Sequence, residues 1–171
     1  MVDIDKTSRE EMQMLTFSLD NVFYGVNVNQ VREVKNFEGV TPVPYAPNYV
    51  KGVTNLRGEV IPVIDLRKRF GIEQKQNEST GIMIIVQDKH PIGVMVDSVM
   101  EVLTLSRKDL ESNPNSLIVD KSEAVIGVAK HDKDLIILVD LMKVVSKDSI
   151  NSIKDTKGFQ IQTEIESKTQ T

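Results

Sequence analysis

The chain has no cysteine, no tryptophan and only two histidines, and no run of apolar residues approaches the length of a membrane-spanning helix. Without cysteine, disulfides, thiolate zinc sites and cysteine nucleophiles are excluded, a usage compatible with a reducing compartment. Five Phe and three Tyr in 171 residues offer few platforms on which nucleobases could stack. Twenty-one Lys and Arg against 25 Asp and Glu leave a net charge of −4, so no strong positive field exists to draw in a phosphate backbone, and nucleic acid is not an expected partner. The two histidines sit in polar turns, His90 in Asp88-Lys89-His90-Pro91 and His131 in Lys130-His131-Asp132, without a metal-spaced neighbour. There is no P-loop, no G-x-G-x-x-G and no G-x-S-x-G pattern. No cofactor, metal or catalytic residue is therefore expected. The charged stretch 1–13 lacks the apolar segment of a signal peptide and reads as a flexible leader. These features predict a cytoplasmic protein that does not insert into the membrane.

What the chain does have is short runs rich in Val and Ile, broken every few residues by Gly, Pro, Asn or Asp, the pattern of β-strands. Strands are predicted over 14–19, 22–28, 52–56, 60–64, 82–87, 92–96, 102–105, 124–129 and 135–139. Asp20-Asn21, Arg57-Gly58-Glu59 and the polar run 130–134 read as hairpin turns that pair their flanking strands antiparallel. Asp65 and Asp140 each stand where a strand gives way to Leu-x-Lys, and each is expected to cap a short helix, over 66–70 and 141–146. The competing view of these two aspartates, a catalytic carboxylate pair, has only their residue type in its favour. A single helical turn is predicted at 29–34. Three prolines make the segment 41–47 an extended surface run. From Asn151 onward the chain is polar; Ile150, Ile153, Phe159, Ile161 and Ile165 could line one face of a helix, but composition favours a flexible tail.

An internal repeat organises these elements. Residues 24–34 (YGVNVNQVREV) align without gaps on 92–102 (IGVMVDSVMEV), sharing Gly, Val, Val, Val, Glu and Val. Farther on, 50–53 (VKGV) matches 125–128 (VIGV), and 60–68 (VIPVIDLRK) matches 135–143 (LIILVDLMK), at an offset seven residues longer. One gap reconciles the blocks. Val-rich strands resemble one another by default, but the shared Gly, Glu and Asp-Leu-x-Lys positions favour duplication of one unit. Five short strands and a terminal helix suffice to curl into a small barrel. The expected fold is therefore mainly β, two five-stranded β-barrel lobes related by duplication, with short helices. The lobes are placed at about 14–80 and 81–150, with a cleft between them.

The run 50–66 (VKGVTNLRGEVIPVIDL), together with Tyr24-Gly25-Val26 and Val31-x-Glu33-Val34, resembles the CheW family of bacterial chemotaxis coupling proteins, and the likeness extends from about Met14 to Val145. The resemblance implies two five-stranded barrels and a non-catalytic adaptor that joins transmembrane chemoreceptors to the histidine kinase CheA, recruited to receptor arrays at the inner membrane. It also implies that the cytoplasmic tip of a methyl-accepting receptor lies in the groove between the lobes, lined by Val31, Val34, Val99 and Val102. Glu33 and Arg57 match polar positions at that groove's edge. Two of the four valines are expected to be ordinary core. The kinase's regulatory domain would dock on Val40, Val43 and Val60, where the alternative is a loop pinned to its own barrel. A second possibility is a coupling domain detached from a larger relative that carries a receiver. From a different class, a ligand-binding double barrel or a small enzyme also fits a two-lobed β protein.

Overall fold

The computed structural model describes residues 11–72, 81–111 and 124–145. Ten strands are present: β1 (Met12–Leu19), β2 (Val22–Asn27), β3 (Val31–Asn36), β4 (Val50–Leu56), β5 (Glu59–Asp65), β6 (Ile82–Val86), β7 (Ile92–Val96), β8 (Ser98–Leu105), β9 (Val125–His131) and β10 (Asp134–Val139). Local chemistry explains their punctuation. Asp20 and Asn21 both take positive φ, as do Arg57 and Gly58 and also Asp132, the twist that lets a two-residue turn join antiparallel strands. The pairs β1·β2, β4·β5 and β9·β10 are antiparallel, as the turns require. Two one-turn helices follow, α1 (Leu66–Arg69) after β5 and α2 (Leu141–Val144) after β10. Asp65 accepts from the Arg67 N–H and Asp140 from the Lys143 N–H, so both aspartates are caps. One sequence expectation fails here: the helical turn at 29–34 is a 3-10 turn confined to Val28–Gln30, and Val31–Asn36 is a strand. Pairing with β6 outweighs the local turn, and the β-branched Val31 and Val34 suit the pleat. The leading residues 1–10 and the apolar positions of the tail, from Ile150 to Ile165, lie outside the described residues.

The strands form two sheets, β8-β1-β2-β10-β9 and β3-β6-β7-β5-β4. In repeat terms each sheet combines the first two strands of one unit with the last three of the other. The lobes therefore do not divide near residue 80, as the linear repeat suggested: β1 and β2 belong with β8, β9 and β10, and β6 and β7 belong with β3, β4 and β5. The interlock is made by two parallel pairs, β2·β10 and β5·β7. A tight turn joins only antiparallel neighbours, so a parallel partner must arrive from distant sequence, and here each unit supplies it to the other.

Each sheet curls on itself, and its seam is spanned by an isolated bridge rather than a continuous ladder. Thr41 and Val53 exchange N–H···O bonds of 2.8 and 2.9 Å across one seam. Leu110 pairs with Ala129 across the other, where the Glu111 N–H donates to the Val128 carbonyl at 2.8 Å. Alternation along the strands sorts the core. Met83, Ile85 and Met95 fill one barrel with Leu56, Ile61 and Val63; Met14, Leu105, Ala129, Ile136 and Leu138 fill the other. The opposite faces of the same strands, carrying Phe17, Tyr24, Ile64, Ile84, Val86 and Val94, meet in a third cluster between the sheets. Strands buried on both faces read as unbroken apolar runs, which is why β6 is Ile-Met-Ile-Ile-Val. The repeat's shared glycine has a steric cause: a Cβ at Gly25 would sit 3.0 Å from Leu138 Cδ2, and one at Gly93 only 2.5 Å from Met83 Sδ, inside the two barrels.

Candidate functional site

The expected groove valines fall on β3 and β8, repeat-equivalent edge strands of the two sheets. Val31 pairs with Val86 and Val99 with Phe17, and both half-buried side chains pack on the cluster between the sheets. Three residues farther along, Val34 and Val102 are 40% and 52% exposed. Val34 lies opposite Ile84 and Val102 opposite Leu15, both members of the inter-lobe cluster, so all four valines lie on the inter-lobe face of their strands. One valine on each edge thus anchors the strand and the next is left to solvent.

A register shift between Val31 and Glu33 turns Glu33 toward the opposite face, beside Ile85. There its carboxylate accepts from both ends of the Arg57 guanidinium, Nη1 at 2.8 Å and Nη2 at 3.0 Å. A weaker pair, Arg32 to Glu59 at 3.6 Å, runs beside it. Since β3 and β4 are opposite edges of one sheet, these pairs connect edge strand β3 to the β4–β5 hairpin across the barrel seam. Arg57 occupies the first position of the hairpin turn, where Asn55 Oδ1 accepts from the Gly58 N–H and holds the loop. The Arg57 side chain remains 67% exposed, so its fork is oriented by Glu33 while still open to a partner. That hydrogen bond holds the Glu33 carboxyl below its ordinary value and raises Arg57. The pair is accordingly present above the usual carboxylate range and is lost only as pH falls through the lowered Glu33 value. The equivalent positions in the second unit are Glu101 and Asp132, both acidic, and that seam is tied differently, by Lys130 to Glu111 at 2.7 Å.

Of the expected kinase-facing residues, Val40 and Val60 meet, and Val43 does not join them. Val40, Val60, Glu38, Thr41, Val53 and Asn55 line an open groove of about 470 Å³ beside the β4–β5 hairpin. Val40 also packs on the barrel core, whereas Val60 is 67% exposed. Val43 is half-buried in the proline segment, two residues before Tyr45, which is exposed with φ of 63°.

Sequence reasoning missed a polar cluster where the lobes join. Arg67, almost wholly buried on α1, donates from Nε to Asp97 Oδ1 and from Nη2 to Asp97 Oδ2, each at 2.6 Å. Asp97 also accepts from the Asp20 N–H at 2.7 Å. On the other side Gln30 donates to Asp140 Oδ1 at 2.8 Å and accepts from the Leu141 N–H at 3.0 Å. No local pattern pairs residues 30 or 110 positions apart, and Arg67 is one of three consecutive cations in Leu66–Arg69, so nothing in the sequence singles it out. The two histidines are in surface positions, His131 Nε2 lying 3.7 Å from Asp132 Oδ2. Among the described residues no group of three or more His, Asp or Glu is placed to hold a metal ion, and no helix is long and apolar enough to cross a membrane.

Two interlocked five-stranded sheets, each curled on itself without a continuous closing ladder, define a mainly β, two-lobed domain with its exposed polar and apolar features on strand edges and hairpin tips. The CheW-like domain model matches residues 13–149, and the chain belongs to that family of non-catalytic chemotaxis scaffold proteins. It is 31% identical over 149 residues to the chemotaxis protein CheW of Treponema pallidum, covering 84% of this chain and 88% of that one. It is 33% identical over 141 residues to the chemotaxis protein CheW of Bacillus subtilis, covering 82% and 90%. Among solved structures, the scaffolding protein TtCheW from Thermoanaerobacter tengcongensis superposes with a TM-score of 0.71 at 34% identity, covering 80% of this chain and 94% of that one.

Proposed function

We propose that this protein couples transmembrane chemoreceptors to the histidine kinase CheA, gripping the receptor's helical tip in the groove between the lobes and the kinase's regulatory domain on the Val40–Val60 groove. The reading rests on family membership, and one observation carries its division of labour. The exposed valines of the two edge strands, Val34 on β3 and Val102 on β8, lie on the inter-lobe faces, whereas exposed Val60 and the groove it shares with Val40 lie at the β4–β5 hairpin. Two separate surfaces suffice for a bridge. Each copy would tie two partners together, and an array of such ties gains strength by linked binding rather than through one tight contact. The protein would work in the cytoplasm, brought to the membrane by the receptors it binds.

Co-sedimentation with a receptor fragment and the kinase, separately and together, tests the reading; recovery of a ternary complex is expected, and binding of neither partner would end it. Arg57→Ala is expected to melt with the parent protein, because an exposed ion pair adds little to stability, yet to lose receptor affinity about tenfold or more, as truncation of an interface arginine does. A large fall in melting temperature would instead make Arg57 structural. Val60→Glu replaces an exposed apolar contact with a carboxylate in a groove that already holds Glu38, and is expected to weaken kinase association about tenfold or more while sparing the receptor. Equal loss of both partners would refute separate surfaces.

A further inference from the structure

The chain passes between the two sheets at only two points among the described residues: from β2 to β3 through Val28–Gln30, and from β7 to β8 through Asp97. Any pivoting of one lobe against the other must bend the backbone there. Both crossings are pinned, and each to the helix that follows a fifth strand. Gln30 holds the first crossing to Asp140 and Leu141 at the start of α2. Arg67 on α1 holds the second through its fork on Asp97, whose carboxylate and N–H also bind Asp20 and Ser18 of the opposite sheet. The duplication makes the asymmetry plain: the repeat counterparts of Arg67 and Asp97 are Met142 and Asn29. One crossing is thus held by a neutral amide and the other by a part-buried, two-pronged ion pair. Apolar packing between the lobes favours contact without selecting an angle, whereas a planar guanidinium fork accepts a carboxylate in one orientation.

From this we infer that Arg67 is a positioning residue, whose fork on Asp97 fixes the angle between the lobes and so the spacing of the edge strands β3 and β8. These strands begin at the pinned points: β3 starts at Val31, directly after Gln30, and β8 starts at Ser98, directly after Asp97. Release of the Arg67 end would let β8, with Val99 and Val102, shift against β3. The functional consequence rests on the proposed receptor site; the mechanical one does not. The Val40–Val60 groove lies within one sheet and its own following segment, so a change of lobe angle leaves it intact.

The absence of cysteine makes the angle measurable. Spin labels at His90→Cys and Lys133→Cys, exposed loop positions on different sheets, report the inter-lobe distance, while label-free protein reports binding. In Arg67→Met, which restores the residue used by the other unit, the distance distribution is expected to broaden or shift well below the melting temperature. Receptor-fragment affinity should fall about tenfold while kinase affinity stays within about twofold. Asp97→Asn, nearly isosteric, should do the same and supplies the readout if Arg67→Met does not fold. An unchanged distance distribution in a folded variant overturns the inference, as does loss of both partners in proportion to lost stability. If the parent protein binds no receptor fragment, the receptor assignment fails, and the distance measurement still decides whether Arg67 sets the angle.

Discussion

Phe17→Ala is expected to lower the melting temperature by about 6–20 °C. Phe17 is fully buried on β1 and stacks on Tyr24 of β2, with ring centroids 5.6 Å apart and planes at 14°. Tyr24 in turn meets Phe70, which follows α1 of the other sheet, at 5.6 Å and 39°. The three rings therefore form a continuous link across the cluster between the lobes. Burial also raises the Tyr24 hydroxyl above its ordinary pKa, so it stays neutral where the rings need an apolar neighbour. Truncating a buried phenylalanine costs about 3–5 kcal/mol through lost transfer energy and the cavity left behind. At roughly 2–4 °C per kcal/mol for a protein of this length, that is the stated shift. Phe17→Leu, which refills much of the volume, should recover a large part of it. Thermal unfolding followed by circular dichroism is the measurement, and a loss below about 1 kcal/mol would show that the inter-lobe core does not depend on this ring.

Gly52→Ala and Gly127→Ala should give opposite results although the two glycines are repeat equivalents. Gly52 has φ of 152°, and a Cβ there would lie 2.2 Å from the Thr41 carbonyl oxygen and 2.8 Å from its carbon. Both are backbone atoms, so no side-chain rotation relieves the contact. The substitution must push away the segment that bridges Thr41 to Val53, breaking two hydrogen bonds at about 1 kcal/mol each and straining the backbone by a similar amount, for a total near 3 kcal/mol. Val40 rides on the displaced segment, so the groove it shares with Val60 should be disturbed as well. At Gly127 nothing lies within 4 Å of the added Cβ and φ is not positive. Alanine there should change stability by no more than about 0.5–1 kcal/mol, in the stabilising direction if the shortened list of unfolded conformations dominates. Equal destabilisation at both sites in urea unfolding would show that the close approach of Thr41 is not what requires glycine at 52.

That contrast shows how much a repeat can reveal. The glycine at 52 and 127, the Gly-Val-x-Val strands and the Asp-Leu-x-Lys helix starts are visible as letters, and the structure gives them shared places in the two sheets. The steric reason at Gly52 is invisible in the letters, because Thr41 reaches it only when the seam closes. The same holds for the site. Glu33 and Arg57 stood out through a family resemblance, but their contact needs the bulge after Val31 and the curl that carries β3 to the β4–β5 hairpin. Arg67 and Asp97 attracted no notice, since neither has a local partner and they meet only because β5 and β7, distant in sequence, pair in parallel.

The places of nine of the ten described strands, though not the first half of β8, together with the three hairpin turns and the two aspartate caps, were legible in the sequence alone, because each depends on forces between residues a few positions apart: alternation of side chains, positive φ at Asn, Asp and Gly, and carboxylates near free N–H groups. Which strands became neighbours was decided only in the tertiary structure. Backbone N–H and C=O groups carry no address, so β2 and β10, or β5 and β7, find each other through the burial of shared faces. The same nonlocal choice turned 31–36 from a turn into an edge strand, interlocked the two units, and brought Arg67 to Asp97 at the point where the chain crosses between the lobes.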